Sequence, residues 1–102
     1  MSLIVDNLYL GGFSEASSLR WLSENGVTHI LNMGIELEEC FPDNFVYKHV
    51  FAQDHDEYNL YIHLDSIADF IDEGVQYGRV LVHCYRGISR SSAAVLAYLM
   101  KI

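Results

Sequence analysis

The chain has 102 residues, of which 51% are hydrophobic and one is proline, and it carries a formal net charge of −8. This composition excludes an intrinsically disordered chain and predicts one small domain spanning residues 1–102. No apolar run reaches the roughly 18 residues of a membrane span, and the first residues lack a secretory signal, so we expect no membrane partner. Two cysteines are too few for a disulfide framework, which predicts a cytoplasmic location, with the nucleus as the alternative.

Charge is divided unevenly along the chain. All 14 acidic residues lie in residues 1–73 beside only two bases, whereas residues 74–102 contain four bases and no acid. An acidic protein repels polyanions, so no nucleic-acid partner is expected. The basic segment instead predicts a discrete pocket for a small anion.

The first half of the chain predicts strands alternating with helices. A strand is expected within residues 3–10, and Ser14 is predicted to cap a helix that ends near Asn25, with Gly26 as its stop. The helix residues predicted to face the core are Ala16, Leu19 and Leu22. Strands are predicted over 27–32 and 45–51. The acidic segment between them, 34–44, is predicted to be an exposed loop.

In the second half, apolar residues recur at helical spacing from Leu60 to Ile71, and this helix is predicted to end at Gly74. A strand is predicted over 79–83 and a helix, apolar on every side, over 90–101. The alternation predicts an α/β fold with a mostly parallel central sheet and helices on both faces. Ligands bind such sheets beyond the carboxyl ends of the strands.

Residues 80–92 carry the chemistry. An apolar strand ends at His83, and Cys84 opens a tight loop before a helix begins near Arg90. Inward N–H groups and a helix N-terminus make such a loop an anion site, and Gly87 permits the backbone angles it needs. Because the helix terminus and a nearby arginine lower a thiol pKa, Cys84 is predicted to be a nucleophile facing a bound phosphate.

Three further groups complete this chemistry. The fork of Arg90 suits two phosphate oxygens at once, and Ser91 is placed to assist the sulfur as leaving group. An acid must protonate the leaving oxygen, and the candidates are Asp54 and Asp56 on the loop after the third strand.

The same residues also have alternative, structural interpretations. Cys84 could be a core cysteine, and Asp54 a solvated loop acid. The spacing of His49, His55 and His63 fits no usual ligand pattern, so no metal is expected. Cys40 is interpreted as a loop thiol, with a regulatory disulfide to Cys84 as the alternative.

The loop resembles the signature of the cysteine-dependent phosphatases, through the residues His83-Cys84-x-x-Gly87-x-x-Arg90-Ser91. The neighbouring segments are similar to those of the dual-specificity phosphatases, at 8–12, 26–32, 70–72 and 91–94. The resemblance covers about residues 4–101. It implies a cysteine-phosphatase-like fold with a strand, phosphate loop and helix at the active site.

The resemblance also implies roles. Cys84 would be the nucleophile, Arg90 the phosphate ligand, and Asp54 first the acid and then the base. Ser91 would assist hydrolysis of the intermediate, and His83 would organise the loop and tune the thiol. The phosphate-binding loop would comprise Tyr85, Arg86, Gly87, Ile88, Ser89 and Arg90. The family uses no metal, and no cofactor is expected.

The implied substrates are proteins carrying phosphotyrosine or phosphoserine and phosphothreonine. Phosphoinositide-directed members of the family tend to carry lysine in this loop. Ile88 at this position therefore favours protein substrates over phosphoinositides. The alternatives are a phosphate-binding interaction module, or a phosphatase for phosphoinositide or RNA 5′-phosphate. Family members continue into two further helices, so the resemblance leaves three alternatives: a naturally short chain, a fragment, or a partner that covers the apolar helix 90–101. For the last alternative, a homodimer through that helix is predicted.

Overall fold

The computed structural model describes residues 2–33, 39–50, 57–83, 95 and 98–100. The strands are β1 Ser2–Val5, β2 Leu8–Gly11, β3 His29–Asn32, β4 Val46–His49 and β5 Val80–His83. The helices are α1 Phe13–Ala16, α2 Leu19–Glu24 and α3 Glu57–Tyr77. Residues 95 and 98–100 are also helical, as predicted for that part of 90–101. Within these ranges no helix has both the length and the apolar character to cross a bilayer.

The five strands form one sheet in the order β1-β2-β5-β3-β4. The pairs β2–β5, β5–β3 and β3–β4 are parallel, and only the edge strand β1 is antiparallel. The predicted mostly parallel α/β sheet is therefore confirmed. The first strand was predicted as one segment, but it is a hairpin. Asn7 turns the chain at φ 68°, a conformation that Asn tolerates better than most residues.

Both faces of the sheet are covered, and side chains alternate between them along each strand. On β5, Val80 and Val82 enter the core beneath α3, which we call the α3 face. Leu81 enters the smaller core beneath the first two helices, the α1–α2 face. Helices on both faces were predicted from the strand–helix alternation, and the two cores confirm them.

The predicted first helix is two short helices. The Ser18 hydroxyl accepts a hydrogen bond from the Trp21 N–H at 3.1 Å and so caps α2, while α1 begins after Gly12 rather than at a Ser14 cap. Leu22 is buried as expected, but Leu19 is 43% exposed, because the break at Ser18 resets the helical phase. Serine is a strong cap, and Ser14, Ser17 and Ser18 all lie in this stretch of the chain.

Gly26 and Gly74 were both predicted to end helices, and the structure confirms this for Gly26 alone. Gly26 has φ 68° after α2, as expected of a stop. Gly74 does not end α3, which continues to Tyr77. A Cβ on Gly74 would lie 2.2 Å from the Val80 Cγ2 and 3.2 Å from the His29 Cβ. Gly74 is thus the point where α3 touches the sheet.

The amino end of β5 is aligned by a compact polar cluster. The Arg79 carbonyl accepts the N–H groups of Thr28 and His29 at 2.9 and 3.0 Å. The Arg79 N–H donates to the Thr28 hydroxyl at 3.0 Å, and its guanidinium donates to the Asn25 carbonyl at 2.9 Å. These bonds set the register of β5 against β3 before either strand begins.

We predict that Gly74→Ala destabilises the domain by about 1–3 kcal/mol, the usual cost of overpacking. The sign is informative, because alanine inside a helix normally gains about 1 kcal/mol over glycine. Urea unfolding measures the difference. Glu73→Ala, at the exposed neighbouring position, should change stability by less than about 0.5 kcal/mol. A more stable Gly74→Ala protein would contradict the observed helix–sheet contact.

Candidate active site

A polar row crosses the carboxyl end of the parallel strands. Gly11, His83, Asn32 and His49 are successive Cα partners on β2, β5, β3 and β4. The row before it is largely apolar, with Leu10, Val82 and Leu31 in the α3 core. Because ligands bind beyond the carboxyl ends of such strands, the polar row marks the base of the site.

His83 occupies the centre of this row, where the sequence places it. Its residue is only 1% exposed, and its strand is paired on both sides. The His83 carbonyl accepts the Met33 N–H at 2.8 Å, so the backbone stays bonded up to its last residue. This bond holds the backbone of β5 against the chain after β3 at the carboxyl end of the sheet.

The other predicted site residues lie outside the described part of the chain. They are Cys84, Tyr85, Arg86, Gly87, Ile88, Ser89, Arg90, Ser91, Asp54 and the alternative acid Asp56. Their roles stay predictions. The strand ends that precede them are described, and they bear on whether one crevice can hold both the thiol and the acid.

Cys84 follows β5 and Asp54 follows β4, with β3 between these strands. Two strand spacings separate the ends by roughly 10 Å. Asp54 is five residues beyond His49, and an extended chain covers about 3.3 Å per residue. The topology therefore allows the acid to reach a phosphate held at the end of β5.

Asn32 is a site residue that the sequence analysis did not single out. It is fully buried between His83 and His49, and its side chain shares the α1–α2 side of the sheet with that of His83. A buried amide is costly unless it is hydrogen-bonded, so its place at the functional edge suggests a positioning task. The sequence signal for Asn32 is a polar residue that directly follows the apolar pair Ile30 and Leu31 at the end of the strand.

Glu15 on α1 is the second residue that the sequence analysis did not single out. Its carboxylate accepts the Gly12 N–H at 3.3 Å and the Ser14 hydroxyl. A Cβ on Gly11 would lie 3.0 Å from Glu15 Oε1, so the missing side chain makes room for the carboxylate over the end of β2. Burial raises the pKa of Glu15, but its hydrogen bonds with Ser14 and Gly12, together with the positive charge of the amino terminus, lower the pKa below its ordinary value of 4.5.

An aromatic cluster packs against the core on the α1–α2 face of the sheet. Phe41, Phe45 and Tyr47 pack edge to face, and the Tyr47 hydroxyl accepts the Phe41 N–H at 3.1 Å. Burial raises the pKa of Tyr47, so its hydroxyl stays protonated. Cys40 is half-buried beside this cluster. Its proposed disulfide partner, Cys84, lies outside the described residues.

Among the residues that the structure describes, no three His, Cys, Asp or Glu side chains are grouped to hold a metal ion. His49 ends β4, while His55 and the side chain of His63 fall outside that description. The arrangement thus consists of a buried strand end, a polar row and a carboxylate beside it.

Comparison with known proteins identifies the class of this architecture. Residues 8–102 match the family model described as "Dual specificity phosphatase, catalytic domain", and the chain belongs to that family. It is 48% identical over 101 residues to dual specificity protein phosphatase 1 of Arabidopsis thaliana, an alignment covering 98% of this chain and 51% of that protein. The chain therefore spans about half the length of this relative.

Solved structures agree with this fold. The chain superposes on the structure of DUSP15 with a TM-score of 0.87 and 32% identity, covering 98% of this chain and 64% of that one. It superposes on the human tyrosine phosphatase-like serine/threonine/tyrosine-interacting protein with a TM-score of 0.86 and 35% identity, covering 95% and 70%. The predicted family and fold are confirmed.

The depressed pKa of Glu15 leads to a pH prediction. A carboxylate with a lowered folded pKa adds stability above its ordinary value of 4.5, and that stability is lost as pH falls through the folded pKa. Wild-type protein should melt at a higher temperature than Glu15→Gln at a pH well above 4.5, and the difference should shrink as the pH falls below 4.5. Thermal melts of both proteins measure this, with Glu24→Gln as the exposed control. A gap that is constant with pH would show that Glu15 is not ionised in the fold.

Proposed function

We propose that this domain is a phosphatase that hydrolyses phosphomonoesters on proteins through a cysteinyl-phosphate intermediate. The observation that supports it most directly is the placement of His83. This residue is buried at the carboxyl end of the central parallel strand, immediately before the sequence that carries Cys84 and Arg90. Membership of the dual-specificity phosphatase family supports the same activity.

The first chemical step transfers the phosphoryl group to the enzyme. The Cys84 thiolate attacks phosphorus, the bond from phosphorus to the substrate oxygen breaks, and Asp54 donates a proton to that oxygen. Arg90 and the loop N–H groups bind the equatorial oxygens, whose charge they stabilise as the bond breaks. The product alcohol or phenol then leaves.

The second step releases phosphate. Asp54, now ionised, takes a proton from a water molecule that attacks phosphorus, and the P–S bond breaks to restore the thiolate. Ser91 donates a hydrogen bond to the departing sulfur. Every proton and electron pair is supplied by these groups and water, so the scheme needs no metal or other cofactor.

The proposed substrates are proteins phosphorylated on tyrosine, serine or threonine. The printed name of the Arabidopsis relative, a dual specificity protein phosphatase, supports this class. Ile88 supports protein over phosphoinositide, and the net charge of −8 supports it over nucleic acid. Relative rates on phosphopeptide, phosphoinositide and RNA 5′-phosphate distinguish the three, and a preference for either of the latter would contradict the proposal.

The second candidate is a phosphate-binding interaction module. The similarity to a human protein named as tyrosine phosphatase-like and interacting favours it. It predicts binding of phosphopeptides without turnover. Turnover that depends on Cys84 would exclude it.

Two further proposals concern the cellular setting. We propose a homodimer through helix 90–101, supported by Met100, which is 80% exposed although Val95 and Tyr98 are buried. A monomer in sedimentation would contradict it.

We also propose a cytoplasmic or nuclear location, since the mechanism needs a reduced thiol. A fluorescent fusion found in the secretory pathway would contradict that location.

Cys84→Ser should abolish hydrolysis of an aryl phosphate, because the serine hydroxyl is a far weaker nucleophile at neutral pH. The measurement is release of the phenol, with vanadate as a competing anion. Thermal melting checks that the variant is folded. Activity that survives this substitution, or that ignores vanadate, would falsify the covalent mechanism.

Asp54→Ala should lower kcat by about 10²–10⁴-fold near neutral pH, the usual loss on removing a general acid. Binding of phosphate should be unchanged, because the acid acts on the leaving oxygen. Asp56→Ala is the matched control on the same loop and should retain activity. If only Asp56→Ala is slow, Asp56 is the acid.

A further inference from the structure

The turn between α2 and β3 contains a chemically reactive pair of residues, Asn25 and Gly26. An asparagine side chain can be attacked by the backbone nitrogen of the residue that follows it, which closes a five-membered ring. Glycine in that second position favours the attack, because it has no side chain to hinder the approach and its backbone rotates freely. The other asparagines of the chain precede larger residues, which are Leu8, Met33, Phe45 and Leu60.

The structure places this pair at the surface, at the end of α2. Asn25 is the C-terminal cap of the helix, with φ −94° and ψ 3°, and Gly26 follows it with φ 68°. A left-handed glycine after the cap is a common way for a helix to end. Asn25 is half-buried and Gly26 is exposed, so water has access to the turn.

Both reacting groups are nevertheless held by hydrogen bonds in the folded protein. The Asn25 Nδ2 donates to the Trp21 carbonyl at 2.9 Å, which fixes the amide against the last turn of α2. The Gly26 N–H donates to the Ser23 carbonyl at 3.2 Å. Because the attacking nitrogen must lose its proton and rotate toward the Asn25 Cγ, the turn has to open before the ring can close.

The Arg79 side chain covers the same turn from the next strand of the sheet. Its Nη1 donates to the Asn25 carbonyl at 2.9 Å. A Cβ on Gly26 would lie 3.7 Å from the Arg79 Cδ and 3.8 Å from its Nη1, so the guanidinium arm occupies the side of Gly26 where a side chain would stand. The Arg79 backbone is itself bonded to Thr28 and His29, so this contact is anchored in the sheet and not in α2.

We propose that Asn25 is a site of deamidation and that the Arg79 side chain limits its rate by holding the turn closed. In the opened turn the Gly26 nitrogen attacks the Asn25 Cγ. The new C–N bond forms, the bond from Cγ to Nδ2 breaks, and Nδ2 leaves as ammonia with the proton that the Gly26 nitrogen gives up through water. Water then opens the ring at either carbonyl and leaves aspartate or isoaspartate at position 25. This inference does not depend on the proposed phosphatase function.

The modification has a structural consequence at the start of β3. Isoaspartate adds one methylene group to the backbone directly before a set of ordered donors. The Val27 N–H donates to the Leu22 carbonyl at 3.0 Å, and the Thr28 N–H donates to the Arg79 carbonyl at 2.9 Å. A longer backbone displaces both donors, so the isoaspartyl protein is expected to melt at a lower temperature than the unmodified protein.

The experiment follows the mass gain at residue 25 by peptide mapping during incubation at mildly alkaline pH. Wild type, Arg79→Gln and Lys48→Gln are each incubated in buffer and in concentrated guanidinium chloride. Folded wild type should react at least about tenfold more slowly than denatured wild type, because the turn opens for only part of the time. Folded Arg79→Gln should react about 2–10-fold faster than folded wild type, which corresponds to the loss of one hydrogen bond.

Two controls separate the fold from the intrinsic chemistry. In guanidinium chloride, Arg79→Gln and wild type should react at the same rate, because the unfolded chain has no closed turn. Lys48→Gln removes a base on β4 and should match wild type in both solvents. Thermal melting shows whether each variant is folded. If Arg79→Gln is unfolded at the incubation temperature, Arg79→Lys replaces it, since lysine keeps the charge without the planar fork, and it should also react faster than wild type.

Three results would overturn the inference. Equal rates for folded and denatured wild type would mean that the turn gives no protection. A folded Arg79 variant that reacts at the wild-type rate would mean that this side chain does not hold the turn closed. Deamidation of another asparagine before residue 25 in the denatured chain would mean that the reactive pair is misassigned.

Discussion

The structure depends on the pairing of β5 between β2 and β3. Each residue of β5 has a partner on both sides, from Val80 to His83. This register brings Gly11 and Asn32 beside His83, and it aligns the carboxyl ends that make the base of the site. The cluster around Thr28 and Arg79 sets the same register from the opposite end. A slip of one residue would exchange the two faces of the strand.

This arrangement is accompanied by close packing at two glycines, which have no side chain. Gly74 lets α3 lie against Val80, and Gly11 leaves room for the Glu15 carboxylate. At Gly74 the helix approaches the sheet more closely than a methyl group would allow, whereas at Gly11 a methyl group would meet the Glu15 side chain in a tight contact of 3.0 Å. The role of a glycine at such a position depends on the atoms around it, so the residue type alone does not predict that role. Gly74 illustrates this, because a stop and a contact point look the same in a sequence.

The parts of the fold that follow from local periodicity were predictable. The apolar strands ending at Asn32 and His83, the α/β alternation and the stop at Gly26 all appear where the pattern placed them. The misses arise where neighbouring residues compete. Ser14 and Ser18 are both good caps, and the choice of Ser18 exposes Leu19. At the site, the loop motif could be recognised from the sequence because its residues are close together along the chain. Asn32 and Glu15 became visible only through strand order, since 17 positions separate them from each other and 51 or more separate each of them from His83.

The central position of β5 also governs how the domain opens. An amide on an edge strand can exchange its proton when that strand frays, whereas β5 is sealed on both edges. Its N–H groups should therefore exchange only when the sheet as a whole comes apart. The chain at the base of the loop cannot loosen by itself. Its dynamics are those of global unfolding, and changes in the cores act on the site by altering the fraction of molecules that are folded.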